Sequence, residues 1–297
     1  MRNAAQPLID MQKTTEFLVC IDSDGCVFDT MEVKHKECFT PNFINYFNLQ
    51  SVSKYAREAW EYVNLYSKSR GTNRFPALVE TLELLSLRHE VKKRGYKLPD
   101  LAPLKNWIAG ETKLGNPALE AYVAAGHKEE ILQETLAWST AVNDTVASLV
   151  RGVPPFPCVV ESLQKMQGRA DVIIVSQTPN DALVREWKEH GIDRYVRVIA
   201  GQEMGTKAEC IAFAKAHGYA DDHVLMIGDA PGDYNAAKQN QALFFPINPG
   251  SEERAWQQFL DEAFDKFTSL QYKGAYQDGL IAAFDACLPD TPPWETK

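Results

Sequence analysis

Phe17-Leu18-Val19-Cys20-Ile21-Asp22-Ser23-Asp24-Gly25 joins five consecutive apolar residues to two aspartates and a glycine. An apolar run without polar alternation fits a strand buried on both faces, as in parallel sheets covered by helices. Val172–Val175 ahead of Ser176, Val196–Ile199, and Val224–Ile227 ahead of Gly228-Asp229 have the same form. Ala242–Phe245 makes a fifth run and is stopped by Pro246. Helical patterns lie between them, over Asp181–His190, Lys207–His217 and Pro231–Gln239. This alternation predicts an α/β fold built on a doubly wound parallel sheet.

The stretch after the first strand reads differently. Residues 31–150 contain no buried strand pattern. Phe75, Leu78, Val79, Leu82 and Leu85 follow helical spacing, and Pro76 suits a first helical turn. Glu129–Val150 reads as one long helix. Gly71, Gly95, Pro99, Pro103, Gly115 and Pro117 punctuate the segment. The expected organisation is therefore a first core piece at 1–30, a mostly helical inserted domain at 31–150, and the rest of the core at 151–297. Arg151-Gly-Val-Pro-Pro-Phe-Pro157 would be the return linker. Two further helices are expected beyond Ser251, and the end from Pro289 onward is expected to fray.

The chain of 297 residues is 45% apolar and carries a formal charge of -9, enough for a sizeable core and unfavourable for polyanionic partners. Neither nucleic acid nor membrane is expected as a partner. No run approaches about 18 apolar residues. Met1–Glu16 lacks the basic start and apolar stretch of a secretory signal. The six cysteines form no Cys-x-x-Cys pair, and the six histidines show no zinc-ligand spacing. Buried free thiols and a cytoplasmic location are the expectation. The sequence leaves the oligomeric state open.

Ligands of open α/β sheets bind outside the carboxyl ends of the strands. Asp22-Ser-Asp-Gly25, Ser176-Gln-Thr178 and Gly228-Asp-Ala-Pro-Gly-Asp233 all stand at such ends, and Lys207 opens a helix between the last two. Phosphoryl transfer needs an in-line oxygen nucleophile, positive charge around the phosphoryl oxygens, and a proton for the leaving oxygen. Asp22 can supply the nucleophile. Asp24, just past the strand where Gly25 allows a sharp turn, can protonate the leaving group and then activate water. The carboxylates of Asp22 and Asp229, with the Asp24 carbonyl, form a hard oxygen set suited to magnesium. Asp233 either joins that set through water or pairs with Lys207. Ser176, Gln177 and Lys207 are the candidate phosphate-binding groups.

These pieces, in this order, resemble the haloacid dehalogenase superfamily, in which phosphatases predominate. The resemblance covers roughly residues 16–30 and 151–250. It implies a Rossmann-like core, a covalent aspartyl-phosphate on Asp22 that water hydrolyses, magnesium as cofactor, and a helical cap inserted after the first motif. A helical cap at that point is similar to those of phosphoglycolate phosphatase-like and phosphoglucomutase-like members, although residues 31–150 exceed the usual four-helix cap of that type. The implied activity is hydrolysis of a small phosphorylated metabolite. The alternatives are a mutase or phosphotransferase using the same residues, a dehalogenase, and a non-catalytic binding protein. Asp24 and Asp229 argue against the dehalogenase, which needs neither a leaving-group acid nor a metal.

Each residue also has a plainer reading. Asp22 and Asp24 can be turn residues, Ser176 can satisfy a strand end, and Lys207 can be a solvated lysine. A cation at a helix start opposes the helix dipole, which favours a functional role for Lys207. Asp29 reads either as a helix cap or as a site residue, and Cys26 as a packing residue. Lys68-Ser-Arg70-Gly-Thr-Asn-Arg74 is a basic loop in an acidic chain. Arg70 and Arg74 either grip a second anionic group of the substrate or lie on a solvated surface.

Overall fold

The structure is a computed structural model describing residues 4–295. Five strands form one parallel sheet: β1 (Phe17–Ile21), β2 (Ala170–Val175), β3 (Val198–Ala200), β4 (Val224–Gly228) and β5 (Leu243–Pro246), in the order β3-β2-β1-β4-β5. The order reverses at β1. The chain first builds outward through β2 and β3, then crosses back to lay β4 and β5 on the other side. The crevice at such a reversal, outside the carboxyl ends, is where open sheets bind ligands.

Successive strand residues point to opposite faces, and both faces are covered. Val19, Ile21, Val172, Ile174, Leu225, Ile227 and Phe245 enter one apolar cluster. Leu18, Cys20, Ile173, Val175, Val224, Met226 and Phe244 enter the other. Each fully buried aliphatic or phenylalanine side chain contributes about 1.5–3 kcal/mol before entropy is counted. That two-sided burial explains why the strands read as unbroken apolar runs.

β2 starts two residues before its apolar run, at Ala170-Asp171. Asp171 is buried and accepts hydrogen bonds from the Thr14 amide (2.8 Å), the Thr15 amide (3.0 Å), the Tyr219 hydroxyl (2.6 Å) and Arg197 (3.1 Å). It thereby ties the entry to β1 to two later loops. Burial pushes its carboxyl up, but the bonds from Thr14, Tyr219 and Thr15 outweigh burial and hold it below its ordinary value. A depressed carboxylate contributes stability that is present above its unfolded pKa, about 3.9, and lost as pH falls through the folded value. Asp171→Asn is expected to cost about 3 kcal/mol at pH 7, with the gap to wild type closing below about pH 4, as read by urea unfolding at both pH values.

The described residues divide into two compact units, 4–30 with 152–289, and 31–151 with 290–295. The second unit is helical and closes on an aromatic core. The rings of Trp60 and Trp138 meet edge to face at 5.6 Å, with Phe39, Phe43 and Phe47 around them. A π-helical segment, Lys34–Phe39, runs between the helices Thr30–Val33 and Thr40–Tyr46. Pro41 has no amide hydrogen and would crowd the carbonyl four residues back in a regular helix. The wider turn removes that conflict, and the Thr40 amide and hydroxyl both bond the His35 carbonyl instead.

Residues 290–295, expected to fray, pack in this second unit. The Trp294 ring lies against Tyr62 at 5.6 Å and over the Arg88 guanidinium at 4.3 Å. Arg88 is itself paired with Glu58 at 2.6 Å. No helix among the described residues is long and apolar enough to cross a membrane.

Candidate active site

Asp22 follows the last residue of β1 and is 6% exposed, and its backbone amide extends the sheet by donating to the Ile227 carbonyl. Asp229 follows β4 and is 1% exposed. Asp233, fully buried, lies in the first turn of the helix Pro231–Gln239, whose proline suits a helix start. One carboxylate oxygen of each of these three lies within 4.8 Å of the others.

Lys207 completes the cluster. Its ammonium donates to Asp22 Oδ2 at 2.6 Å and to Asp233 Oδ1 at 2.5 Å. Its position follows from a local signal. Thr206 caps the helix Lys207–Lys215, accepting from the Glu209 amide, while the Glu209 carboxylate accepts from the Thr206 amide at 2.8 Å. This reciprocal cap fixes the helix start and so places a lysine at the first helical position, where the dipole disfavours it. The two carboxylates offset that cost.

The Asp22 carboxyl is raised to about 6, because burial and, to a lesser extent, Asp233 outweigh the lowering by Lys207. Burial alone would lower the Lys207 ammonium, but Asp22 and Asp233 outweigh it and hold the group protonated. Burial raises the Cys26 thiol, and Asp229 and Asp22 raise it further. Cys26 is therefore a protonated packing residue, in line with its plainer reading.

Asp24 stands apart from the three clustered carboxylates. After Gly25, at a φ of 74° that favours glycine, the chain folds back, and the Gly25 amide donates to the Phe28 carbonyl. Both Asp24 oxygens accept hydroxyl hydrogen bonds, Oδ1 from Thr30 at 2.6 Å and Oδ2 from Thr178 at 2.7 Å. Ser23, between the two aspartates, points away and accepts from Trp187 Nε1 at 3.0 Å.

Ser176 is buried at the end of β2, next to β1, and its hydroxyl accepts from the Thr178 amide at 3.3 Å. Gln177 is exposed, and its side-chain amide donates to the Gly205 carbonyl at 3.3 Å. Arg70 and Arg74 belong to the helical unit. Arg70 is 3% exposed and donates to the Leu65 carbonyl at 2.8 Å. Arg74 lies over the Phe39 ring and donates to Ser139 and Asn143. Both guanidinium groups bond acceptors within the helical unit, while Gly71, Thr72 and Asn73 between them are exposed. Thr30 and Thr178 are the residues that sequence reading missed. Thr178 carried a faint signal, a hydroxyl residue just past a strand end, whereas Thr30 carried none.

Gly228 is required by the same packing. A Cβ there would lie 2.4 Å from Asp233 Cβ, Cγ and Oδ2. Gly228→Ala is expected to displace Asp233 and cost about 1–3 kcal/mol, as read by thermal unfolding of the two proteins.

Residues 110–245 match the family model of the haloacid dehalogenase-like hydrolases. That stretch is similar to the haloacid dehalogenase-like hydrolases. The matched stretch contains Ser176, Lys207, Asp229 and Asp233, and the sheet brings Asp22 to them from outside it. Among solved structures, the chain resembles a protein assigned as a phosphoglycolate phosphatase from Lactobacillus delbrueckii subsp. bulgaricus. The identity is 15%, the TM-score 0.50, and coverage 89% of this chain and 100% of that one. A haloacid dehalogenase-like hydrolase from Streptococcus pneumoniae gives 14%, 0.44, 84% and 93%. A haloacid dehalogenase-superfamily hydrolase of subfamily IA from Geobacter sulfurreducens gives 13%, 0.41, 79% and 88%. At these identities the likeness concerns the fold. No curated protein matches the chain.

Proposed function

We propose that the chain is a magnesium-dependent phosphohydrolase that acts on a small phosphorylated metabolite through an aspartyl-phosphate on Asp22. The observation that carries this reading is the buried cluster of Asp22, Asp229 and Asp233 with Lys207 bonded to Asp22. Three carboxylates and one ammonium leave a net charge of minus two with little access to water. Such an excess calls for a divalent cation, and an all-oxygen donor set suits magnesium better than a softer metal. Asp22, Asp229 and Asp233 would hold it, with the Asp24 carbonyl as a further ligand. When bound, the metal would offset charge on the phosphoryl oxygens.

The chain's own groups supply the rest. A carboxylate oxygen of Asp22 attacks phosphorus, and the bond to the leaving oxygen breaks. Asp24 gives its proton to that oxygen. The Lys207 ammonium turns from the free carboxylate toward the phosphoryl oxygens, with the Ser176 hydroxyl beside it. Asp24, now ionised, takes a proton from water as the water oxygen attacks phosphorus. Inorganic phosphate leaves and the Asp22 carboxylate is restored. The six cysteines are all free, four of them buried, which supports a reducing, cytoplasmic setting. Cys158 is half-buried and Cys287 exposed.

The test is phosphate release from an aryl phosphate after exhaustive chelation. The reading requires loss of turnover on chelation, recovery with magnesium, and free phosphate equal to the alcohol formed. Phosphate that appears only on an added sugar hydroxyl would replace hydrolysis by group transfer.

A further inference from the structure

Thr178 is tied to both sides of the proposed chemistry. Its hydroxyl donates to Asp24 Oδ2 at 2.7 Å, and its amide donates to Ser176 Oγ at 3.3 Å. The loop that carries it is seated on the strand-end residue Gly201. A Cβ at Gly201 would lie 2.6 Å from Asn180 Cα, 2.7 Å from Asn180 N and 2.8 Å from the Thr178 carbonyl oxygen. That close approach is reinforced by the Gln202 amide, which donates to the Thr178 carbonyl at 3.0 Å. The Asn180 side chain accepts from the Gly201 amide at 3.3 Å, and the Asn180 amide donates to Glu203 at 2.9 Å. A hydroxyl on a loop fixed at this many points aims a carboxylate more tightly than one on a free loop.

We infer that Thr178, seated on Gly201, is a positioning residue that orients Asp24 for proton transfer to the leaving group. The inference rests on the phosphohydrolase reading, and it names a residue outside the carboxylate–lysine set. Thr178 touches no reacting atom in this scheme and acts through Asp24. Its contribution is therefore largest where the leaving oxygen needs the proton most. A p-nitrophenolate leaves with little help, whereas an unsubstituted phenolate depends more on a general acid.

The experiment compares p-nitrophenyl phosphate with phenyl phosphate for wild type, Thr178→Val, Thr178→Ser, Gly201→Ala and Asp24→Asn, with magnesium saturating. Thr178→Val is expected to lower kcat for phenyl phosphate about tenfold or more, and for p-nitrophenyl phosphate less than about threefold, with KM little changed. Thr178→Ser, which keeps the hydroxyl, restores the phenyl phosphate rate. Gly201→Ala reproduces the selectivity of Thr178→Val by moving the loop, and Asp24→Asn shows it in larger measure. Thermal unfolding supplies the control, since the magnesium-induced rise in melting temperature is unchanged in Thr178→Val. Equal losses on both esters, or no loss on either, would overturn the inference while leaving the phosphohydrolase reading in place. A wild type that turns over neither ester, with or without magnesium, would remove that reading and this inference with it.

Discussion

Asp22→Asn is expected to lower turnover of an aryl phosphate by more than about a thousandfold while leaving the metal-free fold at least as stable as wild type. The first half follows from the proposed role, because an amide is a poor nucleophile toward phosphorus. The second follows from burial. The folded protein raises the Asp22 carboxyl from 3.8 to about 6, so the fold disfavours its charged form even with Lys207 beside it. For a raised carboxyl, the penalty is absent below the unfolded value, grows between about pH 4 and 6, and is complete above the folded value. The neutral asparagine escapes it. In chelator, the variant should therefore melt higher than wild type at pH 7.5, and the gap should vanish near pH 4. Calorimetry at the two pH values measures both. A variant that melts well below wild type at pH 7.5 would mean that the bond to Lys207 outweighs burial.

Lys207→Met is expected to have the opposite effect on the metal-free fold. Removing the ammonium leaves Asp22 and Asp233 facing each other in a buried site without the cation they share. Breaking a buried pair from one side costs about 3–5 kcal/mol. Turnover should fall by about two to three orders of magnitude, because the developing charge on phosphorus loses a preorganised donor. Magnesium should raise the melting temperature of this variant by more than it raises that of wild type, since it meets a less neutralised carboxylate set. A metal-free variant as stable as wild type would show that Lys207 does not hold the two carboxylates together in solution.

Much of this site is legible in the sequence because its residues stand at ends that the pattern marks. Two-sided burial leaves the β1 and β4 runs unbroken, so the positions where polarity returns, Asp22 and Asp229, are visible at once. The Thr206–Glu209 cap sets Lys207 at a helix start in the same direct way. Other features depend on contacts that no local pattern encodes. Asp171 is the second residue of β2 although a charge inside a buried strand reads as a break, because donors from four residues in distant segments satisfy it. Arg70 and Arg74 form a basic loop by composition. Burial and partners such as Leu65, Ser139 and Asn143 make them internal supports. Gln177 shares the strand end with Ser176, yet its side chain turns out toward Gly205. The π-helical turn before Pro41 and the packing of Trp294 on Arg88 likewise arise only once the helical unit is assembled.

The most direct test of the account is chemical trapping of the enzyme during turnover. Acid quenching within the first turnover of an aryl phosphate, followed by borohydride reduction and peptide mapping by mass spectrometry, identifies any carboxyl group that carried phosphate. The account predicts a reduced side chain at position 22, absent without substrate and absent in Asp22→Asn. Reduction at another acidic residue, or trapping that persists in Asp22→Asn, would contradict it.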